Sequence, residues 1–298
     1  MNVCWIKYLN IMKKRTLLLV VLSVQCISYL SAQSKFYIQA NTGYSMSLFS
    51  QPIGLKTTFN MNSSDDSRTE SFSVVNSSLG SGFNGGLFAG YIINDFMAVE
   101  LGVNYINSVS KQYSEDVSYL DNKLMSKETY SIRANIINIS PGIRLFKSVN
   151  SGELFIRLAP LFGIVKVNEE NKDEVLSLSP TTPKWETTET SREYHGGLAY
   201  GMFFSAGYKK SFGEHVGVSM ELFSNFQTYN PTKGTMKKYT ENGVDRMSNL
   251  SVSDKEIEFV DEHKETSNSN TSEPNKLPRT NSLLLSGIGL QVGVQYKF

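Results

Sequence analysis

Apolar residues occupy every second position over residues 288–298. Ile288, Leu290, Val292, Val294, Tyr296 and Phe298 alternate with Gly289, Gln291, Gly293, Gln295 and Lys297. Successive side chains of a strand point to opposite sides, so this segment has one apolar face and one polar or side-chain-free face. The same period of two recurs between turn signals along the chain. It predicts strands over residues 36–49, 83–93, 96–107, 130–147, 153–167, 194–210 and 216–226, with an eighth from about Leu283. The face opposite the apolar one carries Gln39, Asn41, Gly43, Gly90, Glu100, Gly102, Gly142, Arg144, Arg157, Gly207, Lys209 and Glu221.

Alternation alone does not say which face is inside. Glycine does: strand glycines weaken a soluble sheet, whereas a narrow lumen requires small side chains. The glycines share the polar face, so that face is predicted to line a barrel interior, with apolar residues outside. Pro141 and Pro160 fall inside the fourth and fifth strands on the apolar parity. Each removes a ladder donor, and a bulge or bend is expected there.

Connection lengths alternate. Residues 94–95, 148–152 and 211–215 form short turns, while 50–82, 108–129, 169–192 and 231–280 are long and rich in Ser, Thr, Asn and charge. Short turns at one rim and long loops at the other are the pattern of a membrane barrel. The expected fold is all-β, an eight-stranded antiparallel up-and-down transmembrane β-barrel with long extracellular loops. Both termini then emerge on the short-turn side, which is expected to be periplasmic.

Residues before the first strand point to export. Lys13, Lys14 and Arg15 precede an apolar run over residues 17–24, and Ser31-Ala32 precedes Gln33. That is a charged region, a short apolar region and a cleavage site. The expected organisation is a signal peptide over residues 1–32, with Met12 a sensible start, and a barrel over 33–298. An amphipathic amino-terminal anchor is the alternative. Cys26 lacks the small-residue context of a lipoprotein.

Cys4 and Cys26 are the two cysteines, and both lie in the segment expected to be removed. A disulfide framework, a thiolate nucleophile and a Cys-based metal site are therefore not expected in the mature chain. Cleavage also removes Lys7, Lys13, Lys14 and Arg15 and no acid, which turns the formal charge of +1 into about −3. Nothing in that balance suggests nucleic acid. No apolar run of helix-spanning length follows residue 24. A chain of this kind crosses lipid only as a closed barrel, since open strand edges are not tolerated there.

Gly85-Gly86-Leu87-Phe88-Ala89-Gly90-Tyr91, Val99-Glu100-Leu101-Gly102-Val103-Asn104-Tyr105, Ile139-Ser140-Pro141-Gly142-Ile143-Arg144 and the terminal strand carry a family likeness. With them, residues 34–298 resemble the eight-stranded outer-membrane β-barrel proteins of the OmpA/OmpX-like type, and within that the PorT-like versions widespread in Bacteroidetes. The usual Glu and Tyr of that family's third strand are present as Glu100 and Tyr105; the fourth loop is longer than in the simplest members. The resemblance implies an outer-membrane location. It also implies that Tyr296 and the terminal Phe298 serve as an assembly signal read by the barrel-assembly machinery. These motifs specify architecture and leave activity open.

Glu100, Arg144, Arg157 and Glu221 share the inward parity at similar heights above the short turns, with Lys209 on the same face. Glu100 and Arg144 are on neighbouring strands and are expected to meet. A salt-bridged plug is the expectation, because a narrow interior does not hold unpaired charge cheaply; a gated ion path is the alternative. His195 has inward parity at the outer end of the sixth predicted strand, with Glu193 and Tyr194 beside it. Some barrels of the resembled family are lipid-modifying enzymes with a His near the outer leaflet, and His195 is the candidate general base of that alternative. No Ser or acid partner is identifiable by spacing. His215 falls in a short turn and His263 in the fourth loop, so a metal cluster is not expected. Residues 254–265 are acidic but lack the spacing of a Ca²⁺ loop, and no cofactor motif stands in a fitting context.

The four long connections hold roughly half of residues 33–298. Loops on a rigid scaffold are where binding resides. The expected function is a non-enzymatic barrel that supports the envelope, binds an unknown extracellular ligand, or both. A small-solute channel and the His195 enzyme are the alternatives. Outer-membrane lipid and lipopolysaccharide are expected partners.

Overall fold

The computed structural model describes residues 35–150, 152–177, 183–262, 271–279 and 282–298. The expected signal peptide lies outside them, as does His263. Eight strands form the barrel: β1 Phe36–Ser47, β2 Gly82–Asn94, β3 Met97–Ser108 and β4 Lys123–Val149. They are followed by β5 Gly152–Ser177, β6 Ala199–Phe212, β7 Val216–Tyr229 and β8 Gly287–Lys297. Each pairs antiparallel with its predecessor. The ring closes through β8 on β1, with Ile38 opposite Tyr296 and Ala40 opposite Val294. The fold is therefore an all-β, eight-stranded up-and-down barrel. Among the described residues no helix is long and apolar enough to cross a membrane.

The two faces lie as parity predicts, apolar outside and polar inside. Ile164 is 65% exposed, Met220 60% and Leu290 56%, whereas Gln39, Glu221 and Arg144 are buried. Two bands of exposed aromatics flank the apolar exterior. Tyr91, Phe96, Tyr208, Phe212 and Tyr296 lie toward the short turns; Tyr44, Phe83, Tyr105 and Tyr200 lie toward the long connections. Eight residues separate Phe83 from Tyr91 on β2, a height of roughly 20 Å for a strand tilted as in barrels.

The interior is filled rather than hollow. Phe88, Phe203 and Phe223 pack with Ala159 and Leu161 at mid-height, with ring centroids 6.1 and 6.2 Å apart. Leu79, Ile106, Ile136, Val165, Tyr229 and Leu285 are among the residues of a second apolar layer toward the long connections. Glycine makes this possible where a ring crosses the lumen. A Cβ on Gly90 would sit 2.2 Å from the Tyr37 ring, and one on Gly102 2.3 Å from Ser140 Oγ.

The prolines do not produce a bulge. β4 and β5 pair from Ile139–Phe162 and again from Ile143–Leu158 in unchanged register. Pro141 and Pro160 therefore face each other at the centre of the gap. In an antiparallel ladder, one hydrogen-bonded pair exchanges two N–H···O bonds. Two opposed prolines have neither donor, which accounts for the unpaired stretch without any shift of strand.

The long connections differ from their expectation. They are largely β-structure, not plain loops. β4 and β5 outlast the ring and stay paired as far as Ser126–Val175. The strand Lys111–Leu120 joins the β4 side, and Gln51–Met61 pairs with it in parallel. Arg68–Ser77 completes a hairpin with Gln51–Met61. On the other side Lys184–His195 pairs with β5, and Lys233–Glu241 with Lys184–His195. Glu256–Val260 and Asn275–Pro278 extend this further. The result is a crown that continues the barrel wall beyond its rim.

Candidate functional site

Two places gather chemistry: the lumen near the short turns, and the base of the crown. In the lumen, β3, β5 and β7 bring Glu100, Arg157 and Glu221 together. Arg157 Nε donates to Glu100 Oε2 at 2.7 Å and its Nη1 to Glu221 Oε1 at 2.5 Å. Arg144 Nη2 donates to Glu153 Oε1 at 2.7 Å, and Lys209 Nζ to Glu153 Oε2 at 3.0 Å. Three carboxylates thus meet three cations. Tyr37 donates to Glu100 at 2.5 Å, Arg157 Nη2 to Gln39 Oε1 at 2.6 Å and Gln291 to Glu221 at 3.0 Å. Arg144 also lies over the Phe155 ring at 4.0 Å and Arg157 over Phe88 at 4.7 Å. Burying charge is costly unless each ion is paired and its remaining donors are met, and here nearly all are. The orphan is Arg144 Nε.

All five lumen residues picked out by parity are in this cluster, but the expected Glu100–Arg144 pair is the loose one, at 3.8 Å. The barrel twist carries Arg157, two strands away, to Glu100 instead. Glu153 and Tyr37 were missed, and Gln39, expected on the inward face, was not expected in the ion network. Glu153 opens the predicted strand over residues 153–167 and shares the inward parity of Arg157, so the period-two rule contains it.

The crown inherits its two faces from the barrel. β4 and β5 keep one register throughout, so Glu128, Tyr130, Glu169, Asn171 and Asp173 continue the lumen side. On the outer side, Lys127 pairs with Glu115 at 2.9 Å, and Lys166 and Lys237 approach Glu193 at 3.8 and 3.6 Å. On the lumen side, Asp116 lies opposite Glu128, and Glu128 opposite Asp173. Burial and then the Glu128 charge raise the Asp173 carboxyl above its ordinary range.

At the base of the crown is a cup of about 550 Å³. Leu79, Ile132, Leu283 and Leu284 line its apolar part, Tyr113, Tyr194 and Phe259 its aromatic part, and Glu169 and Arg279 carry its charge. The Tyr113 and Tyr194 hydroxyls lie beside the Glu169 carboxylate; burial first, and then that negative charge, push both phenols up, so they stay protonated at neutral pH. Tyr194 packs on Phe259 at 6.0 Å, and Tyr113 on Tyr130 at 5.8 Å. Arg279 is occupied by Asp261 at 3.3 Å. Arg192, opposite Glu169 across the ladder, directs Nη2 to the Asp254 carbonyl at 3.2 Å.

No family model matches the chain, and no curated protein matches it. Among solved structures it is similar to Neisserial surface protein A (11% identity, TM-score 0.36, 88% of this chain and 97% of that one). It is also similar to the outer membrane protein OprG from Pseudomonas aeruginosa (10%, 0.38, 89% and 95%). A third likeness is to CarO2 from Acinetobacter baumannii (11%, 0.31, 88% and 99%). The eight-stranded ring itself is read from the register of this chain.

His195 is not where its parity placed it. It ends the crown strand Lys184–His195, opposite Lys233. Gly196 and Gly197, with φ of +76° and +73°, separate it from β6. Those two left-handed residues reset the alternation: Tyr194 lines the cup and His195 takes the other side. Its ring Nδ1 contacts the Glu193 carbonyl at 3.4 Å. His215 Nδ1 is 2.8 Å from the Lys297 carbonyl, and its ring stacks on Tyr296. Phe298 packs edge-on against Tyr296 at 5.1 Å and on Phe36 at 5.8 Å, while its N–H donates to Phe36 O at 3.0 Å. Among the described residues no cluster of three or more His, Cys, Asp or Glu is placed to hold a metal ion. The acidic stretch after residue 253 is built instead into structure: Ser251 and Asp254 form a reciprocal cap, and Glu256–Val260 is a strand.

Proposed function

We propose that this protein is a non-enzymatic outer-membrane β-barrel whose crown binds a partner outside the cell. The observation that carries the binding role is the cup: an aromatic-walled cavity held by strands rather than by loose loops, at the end of the barrel where the connections are long. The membrane location is supported by the exposed apolar exterior between two aromatic bands. Such a surface is costly in water and is the expected boundary with lipid. Outer-membrane lipid and lipopolysaccharide are then its surroundings, both termini are periplasmic, and residues 1–32 are the export signal. Tyr296 and Phe298 are the signal to the barrel-assembly machinery. The narrower likeness to PorT-like proteins of Bacteroidetes belongs to the same proposal and rests on the segments around Gly86, Glu100 and Pro141.

The lumen argues against conduction, since successive layers are occupied by the ion network, by Phe88, Phe203 and Phe223, and by the upper apolar cluster. His195 has a backbone carbonyl beside it and no acid or hydroxyl partner among its hydrogen bonds, which does not favour the enzyme. Cell fractionation tests the proposal. The protein is expected in the outer-membrane fraction, to shift on a gel only after boiling in SDS, and to give no single-channel steps in a planar bilayer. Deletion of Phe298 is expected to lower that yield. Recovery in the periplasm, or discrete conductance, would overturn it.

A further inference from the structure

We propose that the cup at the base of the crown binds a small organic cation, an ammonium group carrying an apolar body, with the ammonium seated on Glu169. This rests on the crown being a binding surface and names what it takes. Four observations converge. The volume of about 550 Å³ suits a small molecule. The floor of Leu79, Ile132, Leu283 and Leu284 accepts apolar surface. Tyr113, Tyr194 and Phe259 offer aromatic faces around the same space, and ring faces attract cations, most strongly where water is displaced.

The fourth observation is Glu169 itself. A carboxylate has about four acceptor positions, and the hydroxyls of Tyr113 and Tyr194 lie beside this one. As protonated phenols they bring no positive charge to it. Among the described residues no Lys, Arg or His nitrogen lies within ion-pair distance of Glu169, although its neighbour Glu193 has both Lys166 and Lys237. Of the cations nearby, Arg279 is paired with Asp261, and Arg192 reaches the Asp254 carbonyl through Nη2 while its Nε has no partner. The carboxylates further up this face, Asp116, Glu128 and Asp173, add a field of the same sign. An anionic ligand would have to sit against Glu169 and displace Arg279 from its partner. A neutral apolar one would leave the carboxylate desolvated and unpaired, which is costly.

Titration calorimetry of the full barrel in a nonionic detergent tests this, with benzyltrimethylammonium as the cationic probe and phenylacetate as an anionic probe of similar size. Saturable one-to-one binding of benzyltrimethylammonium is expected, and none of phenylacetate. Glu169→Gln is expected to weaken the cation by about tenfold or more, and Phe259→Leu to weaken it several-fold while leaving the volume nearly intact. Should Glu169→Gln fail the boiling-dependent gel shift, Phe259→Leu decides. The inference is overturned if the folded barrel does not bind the ammonium, if phenylacetate binds as tightly, or if folded variants keep wild-type affinity. Failure of the underlying reading has a different signature: the crown would not be reached from outside intact cells.

Discussion

Arg157 does more than any other side chain to seal the lumen. Its guanidinium joins Glu100 on β3, Glu221 on β7 and Gln39 on β1. Removing Glu100 would strand that charge, so Glu100→Ala is expected to cost about 3–5 kcal/mol in urea unfolding. The coupling in a double-mutant cycle should be larger for Glu100 with Arg157 than for Glu100 with Arg144, as 2.7 Å against 3.8 Å implies. Additive losses for Glu100 and Arg157 would mean that the pair does not form. The proline pair makes an opposite prediction. Pro160→Val restores a donor facing the Pro141 carbonyl, and a gain of about 0.5–1.5 kcal/mol is expected from one ladder bond. An unchanged urea midpoint would mean the carbonyl is satisfied some other way. The charged residues of the network were legible in the sequence because parity alone identifies them. Their pairing was not, since it depends on how far a twisted wall rotates each side chain around the lumen.

Among the elements, the barrel strands were the legible part. Lipid outside and a packed lumen inside force the period of two, so β1, β2, β3 and β7 fall close to their expected spans. The crown was not legible, for a physical reason. Lys184–His195 reads Lys-Trp-Glu-Thr-Thr-Glu-Thr-Ser-Arg-Glu-Tyr-His; both of its faces meet water in large part, so polar residues stand on both parities. The cue that remained was its content of Thr, Tyr and Trp, residues that suit strands. The inward row of acids leaves a measurable trace. Asp173 has a folded-state pKa raised by burial and by Glu128. A raised pKa means that stability is fully present below the unfolded value and is lost as pH rises through the folded one. Asp173→Asn should therefore stabilise the crown at neutral pH, and its advantage over wild type should vanish below about pH 3.9, where both side chains are neutral. Protection of crown peptides from proteolysis across that range is the measurement. An advantage that persists in acid would assign the effect to packing instead.

Across the whole molecule, one arrangement of strands does two jobs. A ring with no free edge and a filled lumen gives a rigid base in lipid, and the same ladders, continued past the rim, hold the crown and its cup in place. That division has meaning only if the crown faces outward and the short turns face the periplasm. Single cysteines decide it, in a chain whose Cys4 and Cys26 are replaced by serine. Ser64→Cys lies beyond the end of Gln51–Met61 at an exposed crown tip, and Glu214→Cys lies in the exposed turn between β6 and β7. A membrane-impermeant maleimide added to intact cells is predicted to label Ser64→Cys and to reach Glu214→Cys only after the cells are broken. Labelling of Glu214→Cys from outside, with Ser64→Cys protected until lysis, would contradict the account and remove the crown from the cell surface.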